Sequence, residues 1–168
     1  MEYYKKLVMK ECQRNRILVT KWNEGGGGQA LVIQREIEIP IPTNILNLGW
    51  CFHEIGHVVH NHIWRKKSYV QEYEAEIYAL NKLKELGFKS YVLYEYNAKW
   101  HVIRTLIKSH NKGYSMTKVP LEITQWLAEG KFGINILLWD QDYLIKLNGN
   151  INSIKDIVLT YYKRKKPL

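Results

Sequence analysis

The stretch that most restricts how this chain can fold runs from residue 45 to residue 59. Ile45, Leu48, Phe52, Ile55, Val58 and Val59 recur at helical spacing and give one broad apolar face. A helix apolar over so much of its surface belongs in the centre of a domain. Pro42-Thr43-Asn44 opens it, with Thr43 as the predicted N-cap, and the helix is predicted to end near His62. Set into this apolar run are His53, Glu54 and His57. Polar groups in a core need partners, because burying them unpaired is costly. His53 and His57 are four residues apart and so project from the same helix face, where both can reach one metal ion. Glu54 projects from a neighbouring direction, beside the metal's open position. The His-Glu-x-x-His pattern thus offers two imidazole ligands and a carboxylate placed to take a proton from water. Gly56 allows another backbone or a ligand to approach closely. His60 and His62 add imidazole; their spacing suits the surface or an outer supporting role better than ligation.

A third ligand is available on the next helix, read from Gln71 to Leu86 and closed by Gly87. Tyr73, Ile77, Leu80 and Leu83 form its packing stripe. Glu72 and Glu76 are four apart and share a face, while Glu74 points away. One of the pair can complete a His-His-Glu site. The other can accept a hydrogen bond from the second nitrogen of a ligand histidine and fix its tautomer. Spacing alone leaves open which carboxylate does which. Three protein ligands leave a position for water, the catalytic pattern, and zinc is the first choice for two imidazoles and a carboxylate.

With 168 residues the chain is long enough for one domain with a real core. Its hydrophobic fraction of 46% and charged fraction of 24% are ordinary for a soluble protein. No apolar run approaches the length that spans a bilayer, and no signal peptide is read at the start. Cys12 and Cys51 make no disulfide framework. The expectation is a reduced, cytoplasmic protein with no membrane partner. The net charge of +9 favours acidic partners, nucleic acid among them. Part of that charge is local, in Arg65-Lys66-Lys67 and in the tail Lys163-Arg164-Lys165-Lys166. Such runs are ordinarily solvated surface, and a nucleic-acid-binding surface is the competing reading.

The flanks are less specific. Tyr3 to Arg16 reads as a helix and Ile17 to Trp22 as a strand. Gly25 to Gly28 reads as a flexible hairpin turn; no Lys-Ser/Thr follows it, so a phosphate cradle is disfavoured. Gln29 to Ile41 alternates as a half-buried strand, predicted antiparallel to 17–22, with an edge that can take an extended peptide by strand addition. Further on come a strand over 90–96, helices over 97–110 and 121–129, a hairpin pairing 134–139 with 143–147, and a helix over 151–162. The whole predicts a single α+β domain over 1–168. Its core is the pair of metal-site helices over 43–86, packed on a small, mostly antiparallel sheet. An α/β elaboration over 90–162 and a basic tail over 163–168 follow.

Two stretches carry a resemblance: His53-Glu54-Ile55-Gly56-His57-Val58-Val59-His60, and Glu72-Tyr73-Glu74-Ala75-Glu76-Ile77-Tyr78-Ala79. Together they resemble the gluzincins, and more specifically the ImmA/IrrE-type metallo-endopeptidases of bacteria, phages and mobile elements. The metallopeptidase domain of anti-restriction proteins is similar. The likeness covers residues 43–86, about a quarter of the chain. The chain departs from the family pattern at Glu76, where Asn or Asp is usual, so the choice between Glu72 and Glu76 as ligand stays open. The resemblance implies a zincin-like fold and a cytoplasmic zinc protease, often one that cleaves a transcriptional repressor or other regulatory protein. It implies His53, His57 and Glu72 as zinc ligands, Glu76 as a supporting residue, and Glu54 as the general base of a zinc-activated water. Tyr69, Tyr91, Tyr94, His101 and His110 are candidates for stabilising the oxyanion. The alternative is a nucleic-acid- or partner-binding module with a structural or inactive metal site.

Overall fold

The computed structural model describes residues 2–63, 67–114 and 119–129. The chain divides into two compact units, Met1–Ala98 and Lys99–Leu168. The first contains α1 (Glu2–Arg14), β1 (Leu18–Asn23), β2 (Gln29–Leu31), β3 (Glu36–Pro40), α2 (Ile45–Val59), α3 (Ser68–Glu85) and the start of α4 (Tyr91–Asn111). The second contains the rest of α4 and α5 (Leu121–Ala128). The described residues therefore form an α+β protein with five helices and one three-stranded sheet.

The sheet is mixed rather than mostly antiparallel. Its strand order is β1-β3-β2, so β3 lies in the centre. β3 runs parallel to β1, pairing Leu18 with Glu36 and Trp22 with Ile39, and antiparallel to β2, pairing Gln29 with Glu38. The single strand expected over 29–41 is thus a hairpin. Residues 32–35 turn, and Arg35 takes the left-handed conformation at φ 56°. Its guanidinium donates to the carbonyls of Asn15 and Arg16 at the end of α1, which pins the turn there. The alternation of Ile33, Arg35 and Ile37 continues across the turn, so a period of two could not reveal it; Ile33 is 72% exposed. The hairpin turn lies here and not at Gly25 to Gly28, since β1 and β2 are not paired.

Ile37 and Ile39 of β3 are fully buried, as are Leu48, Phe52 and Ile55 of α2. The N-cap of α2 is Asn44, whose side chain accepts from the Asn47 N–H at 2.9 Å. Thr43 sits one residue earlier and accepts from the Asn47 side chain instead. α2 and α3 cross closely at Gly56. A Cβ there would lie 3.0 Å from the Ala75 Cα and 3.1 Å from the Ala75 carbonyl oxygen. This approach brings Glu72 and Glu76 of α3 up to the histidines of α2. α3 ends at Glu85, with Leu86 as its C-cap and Gly87 beyond at φ 78°, the left-handed conformation expected of its closing glycine.

Residues 91–96 are helical, not part of a strand over 90–96. Tyr-Val-Leu-Tyr has strand-like composition, but packing is what selects the helix. Tyr94 and Ala98, four apart, are both fully buried, and the Tyr94 ring occupies the place a Cβ on Gly49 would need, 2.1 Å away. In the second unit, Val102, Ile103, Leu106 and Ile107 of α4 are buried, as are Val119, Ile123 and Leu127. Lys99 is buried, donates to the Glu129 carbonyl and lies over the Trp126 ring, 5.5 Å from its centroid. The expected hairpin pairing 134–139 with 143–147, the helix over 151–162 and the basic tail lie outside the described residues. No described helix is long and apolar enough to cross a membrane.

Candidate metal centre

α2 and α3 bring three donor atoms together. The Nε2 atoms of His53 and His57 are 3.0 Å apart. Glu72 Oε2 lies 3.2 Å from the first and 3.4 Å from the second. Ligand bonds of about 2.0–2.1 Å around a tetrahedral ion set neighbouring donors roughly 3.3–3.4 Å apart. The triangle is therefore one face of a coordination tetrahedron of the right size, and these residues can hold a metal ion. The centre is nearly dry at one corner and partly exposed at the others. The His53 side chain is 2% exposed, those of His57 and Glu72 13% and 21%.

Glu76 stands behind His53 rather than at the triangle. Its Oε1 lies 3.2 Å from His53 Nδ1, and its Oε2 accepts from the Tyr94 hydroxyl at 2.6 Å. The geometry thus separates the two carboxylates that spacing could not: Glu72 at the third corner, Glu76 at the far nitrogen. Tyr94 is held as a neutral donor, because burial and then the Glu76 charge push its hydroxyl well above the usual range. Its proton is thereby engaged on Glu76. The Trp50 ring packs edge-on against both His53 and Tyr94.

The electrostatics favour positive charge inside the triangle. Burial works against a charged His53, yet the pull of Glu76, with hydrogen bonds to Glu72 and Glu76, raises it to about 10. Burial likewise works against an ionised Glu72, and the hydrogen bonds from His53 and His57 overcome it, holding the carboxyl far below its ordinary range. A proton and a metal cation are alternative occupants of the same nitrogen lone pair.

His57 has its own supporting chain. Its Nδ1 lies 2.7 Å from Nδ1 of His62, and Nε2 of His62 lies 2.8 Å from Glu74 Oε2. Burial above all, with the nearby imidazoles, lowers His62 to about 4. His60 caps the helix, is exposed and stacks on His62 with ring centroids 5.5 Å apart. His60, His62 and Glu74 are a second group whose donor atoms lie within 4.8 Å of one another. Helical spacing could not reveal the link from His57 to His62, because the chain leaves the helix between them. Asn61 adopts φ 52°, and the His62 N–H turns back to the His57 carbonyl at 3.0 Å. The one available signal was Asn61 itself, a residue type that tolerates the left-handed conformation at a helix end.

Glu54 is buried, 8% exposed, and its charge reaches His53. It packs against the last residue of the glycine run. A Cβ on Gly28 would lie 2.7 Å from the Glu54 Cγ and 2.8 Å from its Oε1. Gly28 is thus required by the close approach of its backbone to this carboxylate, a contact that reading the run as a flexible turn missed.

No family profile, curated protein or solved structure matches this chain. The first unit also has a cavity of about 470 Å³ between α1 and α3, lined by Lys10, Glu11, Arg14, Phe52, Lys82 and Glu85 among others. None of the three triangle residues lines it, so its size has no bearing on the chemistry of the centre.

Proposed function

We propose that this chain is a zinc-dependent metallo-endopeptidase with a zincin-like metal-site core. The observation that carries the reading is the triangle of His53, His57 and Glu72 donors, tetrahedral in size, with Glu54 one residue from its first ligand. Two imidazoles and one carboxylate are the protein ligands of catalytic rather than structural zinc sites, which use four. When bound, zinc supplies Lewis acidity, bringing the pKa of water towards neutrality and polarising a carbonyl. Glu54 takes the proton from the attacking water and returns it to the leaving amine. Burial of Glu54 keeps bulk water from competing for that proton.

The sheet supports a peptide as substrate. β3 is interior, so the edge expected on 29–41 belongs to β2. β2 begins at Gln29, directly after the glycine that touches Glu54. A peptide added to that edge is led past the general base. The likeness to ImmA/IrrE-type enzymes extends the reading to a regulatory or repressor protein as substrate, cleaved in the cytoplasm. Free, buried Cys12 and Cys51 suit a reducing compartment.

The test is elemental analysis joined to proteolysis. Purified protein should carry close to one zinc per chain, and a His53→Ala/His57→Ala variant should carry none. Glu54→Gln should keep the zinc and lose cleavage of an unfolded protein substrate by at least about a hundredfold. Wild-type cleavage by Glu54→Gln removes the general-base assignment. Zinc-independent, salt-sensitive DNA binding without proteolysis would instead favour a binding module, the class to which the charge of +9 points.

A further inference from the structure

We propose that Glu74 and His62 act as a positioning pair that sets the tautomer and orientation of His57, so that a residue two hydrogen bonds from the metal centre governs metal affinity. The inference rests on the reading of His57 as a ligand and deepens it.

The proton count along the chain has one solution. A neutral imidazole carries one N–H and one lone pair. The Nε2 of His57 faces the triangle, so its lone pair is needed there and its proton sits on Nδ1. That Nδ1 is 2.7 Å from Nδ1 of His62, a distance that holds one proton, so His62 accepts on Nδ1. The His62 proton then sits on Nε2, 2.8 Å from Glu74 Oε2, which as a carboxylate oxygen accepts and cannot donate. Each contact has one donor and one acceptor. In the opposite arrangement His62 donates from Nδ1 to His57, and the His57 proton moves to Nε2. It then points into the triangle, 3.0 Å from His53 Nε2, and blocks the ligand lone pair. The same arrangement sets the bare His62 Nε2 against the Glu74 carboxylate, two acceptors at 2.8 Å. Glu74 therefore selects the ligand form of His57 through His62.

The surroundings hold His62 to this task. Its side chain is 1% exposed. The left-handed turn at Asn61 returns its backbone to His57, and His60 stacks on its ring. The same geometry disfavours a second metal at His60, His62 and Glu74. Ligation through His62 Nε2 would drive its proton to Nδ1 and reverse His57. His53 is supported by Glu76 directly, and His57 by Glu74 through one intervening ring.

The experiment is zinc affinity of the full chain by chelator competition, with nitrogen-detected NMR of the histidine tautomers. Replacing Glu74 by Met removes the acceptor at similar size, and zinc affinity should fall about ten- to a hundredfold, the usual effect of losing an outer partner. Glu74→Gln keeps a carbonyl acceptor and should recover most of that loss. His62→Leu should cost about as much as Glu74→Met, and the double variant no more than His62→Leu alone, because Glu74 acts through His62. Circular dichroism checks that each variant is folded. Wild-type protein that binds no zinc overturns the metal centre itself. Wild-type protein that binds one zinc, while Glu74→Met binds equally well with an unchanged His57 tautomer, overturns this inference alone. Tight uptake of two zinc ions per chain, the second lost in Glu74→Met, overturns it in favour of a second site.

Discussion

At Gly28 a single hydrogen atom leaves room for the carboxylate of Glu54, the proposed general base. An added methyl group falls 2.8 Å from Glu54 Oε1 and 2.8 Å from the Glu38 carbonyl oxygen, so it cannot be accommodated without moving one or the other. The carboxylate is the softer partner. On the proposed role of Glu54, Gly28→Ala should therefore lower kcat on the order of tenfold to a hundredfold, since small displacements of a general base are costly. Zinc content, measured on the same preparation, should stay at the wild-type level. Loss of zinc together with activity would place the damage in the ligand triangle instead. At this scale the sequence was legible wherever helical period decided the matter. His53 and His57 share a face because they are four apart, and Glu72 and Glu76 do so for the same reason. Which glutamate reaches the triangle depends on how α3 is rotated about its axis. That rotation is set by the contact of Gly56 with Ala75, which no spacing within one helix encodes.

Among the elements, α1 is tied to α3 by a small polar network. Glu11 accepts from the Tyr78 hydroxyl at 2.6 Å and pairs with Lys82 at 3.2 Å, and Asn15 donates to it as well. Burial alone would raise the Glu11 carboxyl, but the Tyr78 hydrogen bond and the Lys82 charge hold it below its ordinary 4.5. A carboxyl lowered in the folded state stabilises that state above its unfolded pKa, and the contribution is lost as pH falls through the lowered value. Wild type should accordingly lose stability below about pH 4.5, while Glu11→Gln, less stable at neutral pH, should lose less over the same acid range. Urea unfolding of both proteins with chelator present checks the difference; parallel pH profiles would remove Glu11 from the acid response. The elements themselves were legible where period and caps agreed, as in α2 and at the Gly87 stop of α3. They were illegible where tertiary contacts overrode composition. Residues 90–96 look like a strand, yet 91–96 form a helix that sets Tyr94 on Gly49. The alternation over 29–41 hides a turn held by Arg35 against the end of α1.

For the molecule as a whole, the ligand triangle adds a point of attachment between two helices already joined by packing and by the contact of His53 with Glu76. A cation that binds the folded form and not the unfolded one adds about 2.7 kcal/mol at a hundredfold excess over its Kd. For a protein of this size that corresponds to a rise in Tm of about 5–10 °C. Stripping zinc with a chelator should lower the Tm by that amount, and adding zinc back should restore it. A Tm that ignores both treatments would mean that the triangle holds no ion. Class was legible at this scale from alternating helical and strand-like patterns, since an α+β arrangement needs no more than that. Strand order and direction were not, because the parallel pairing of β1 with β3 joins segments separated by β2 and leaves no local mark.

The hydroxyl that satisfies Glu76 comes from Tyr94, eighteen residues further along the chain. During synthesis His53, His57, Glu72 and Glu76 emerge together, while that donor still lies ahead in the growing polypeptide. Until α4 docks its first turn on Gly49, the carboxylate behind His53 lacks its buried partner and gains by remaining in water. Burial of the carboxylate behind His53 thus waits on a residue that lies beyond α2 and α3, and a nascent chain carrying all three donors does not yet hold them in their folded arrangement.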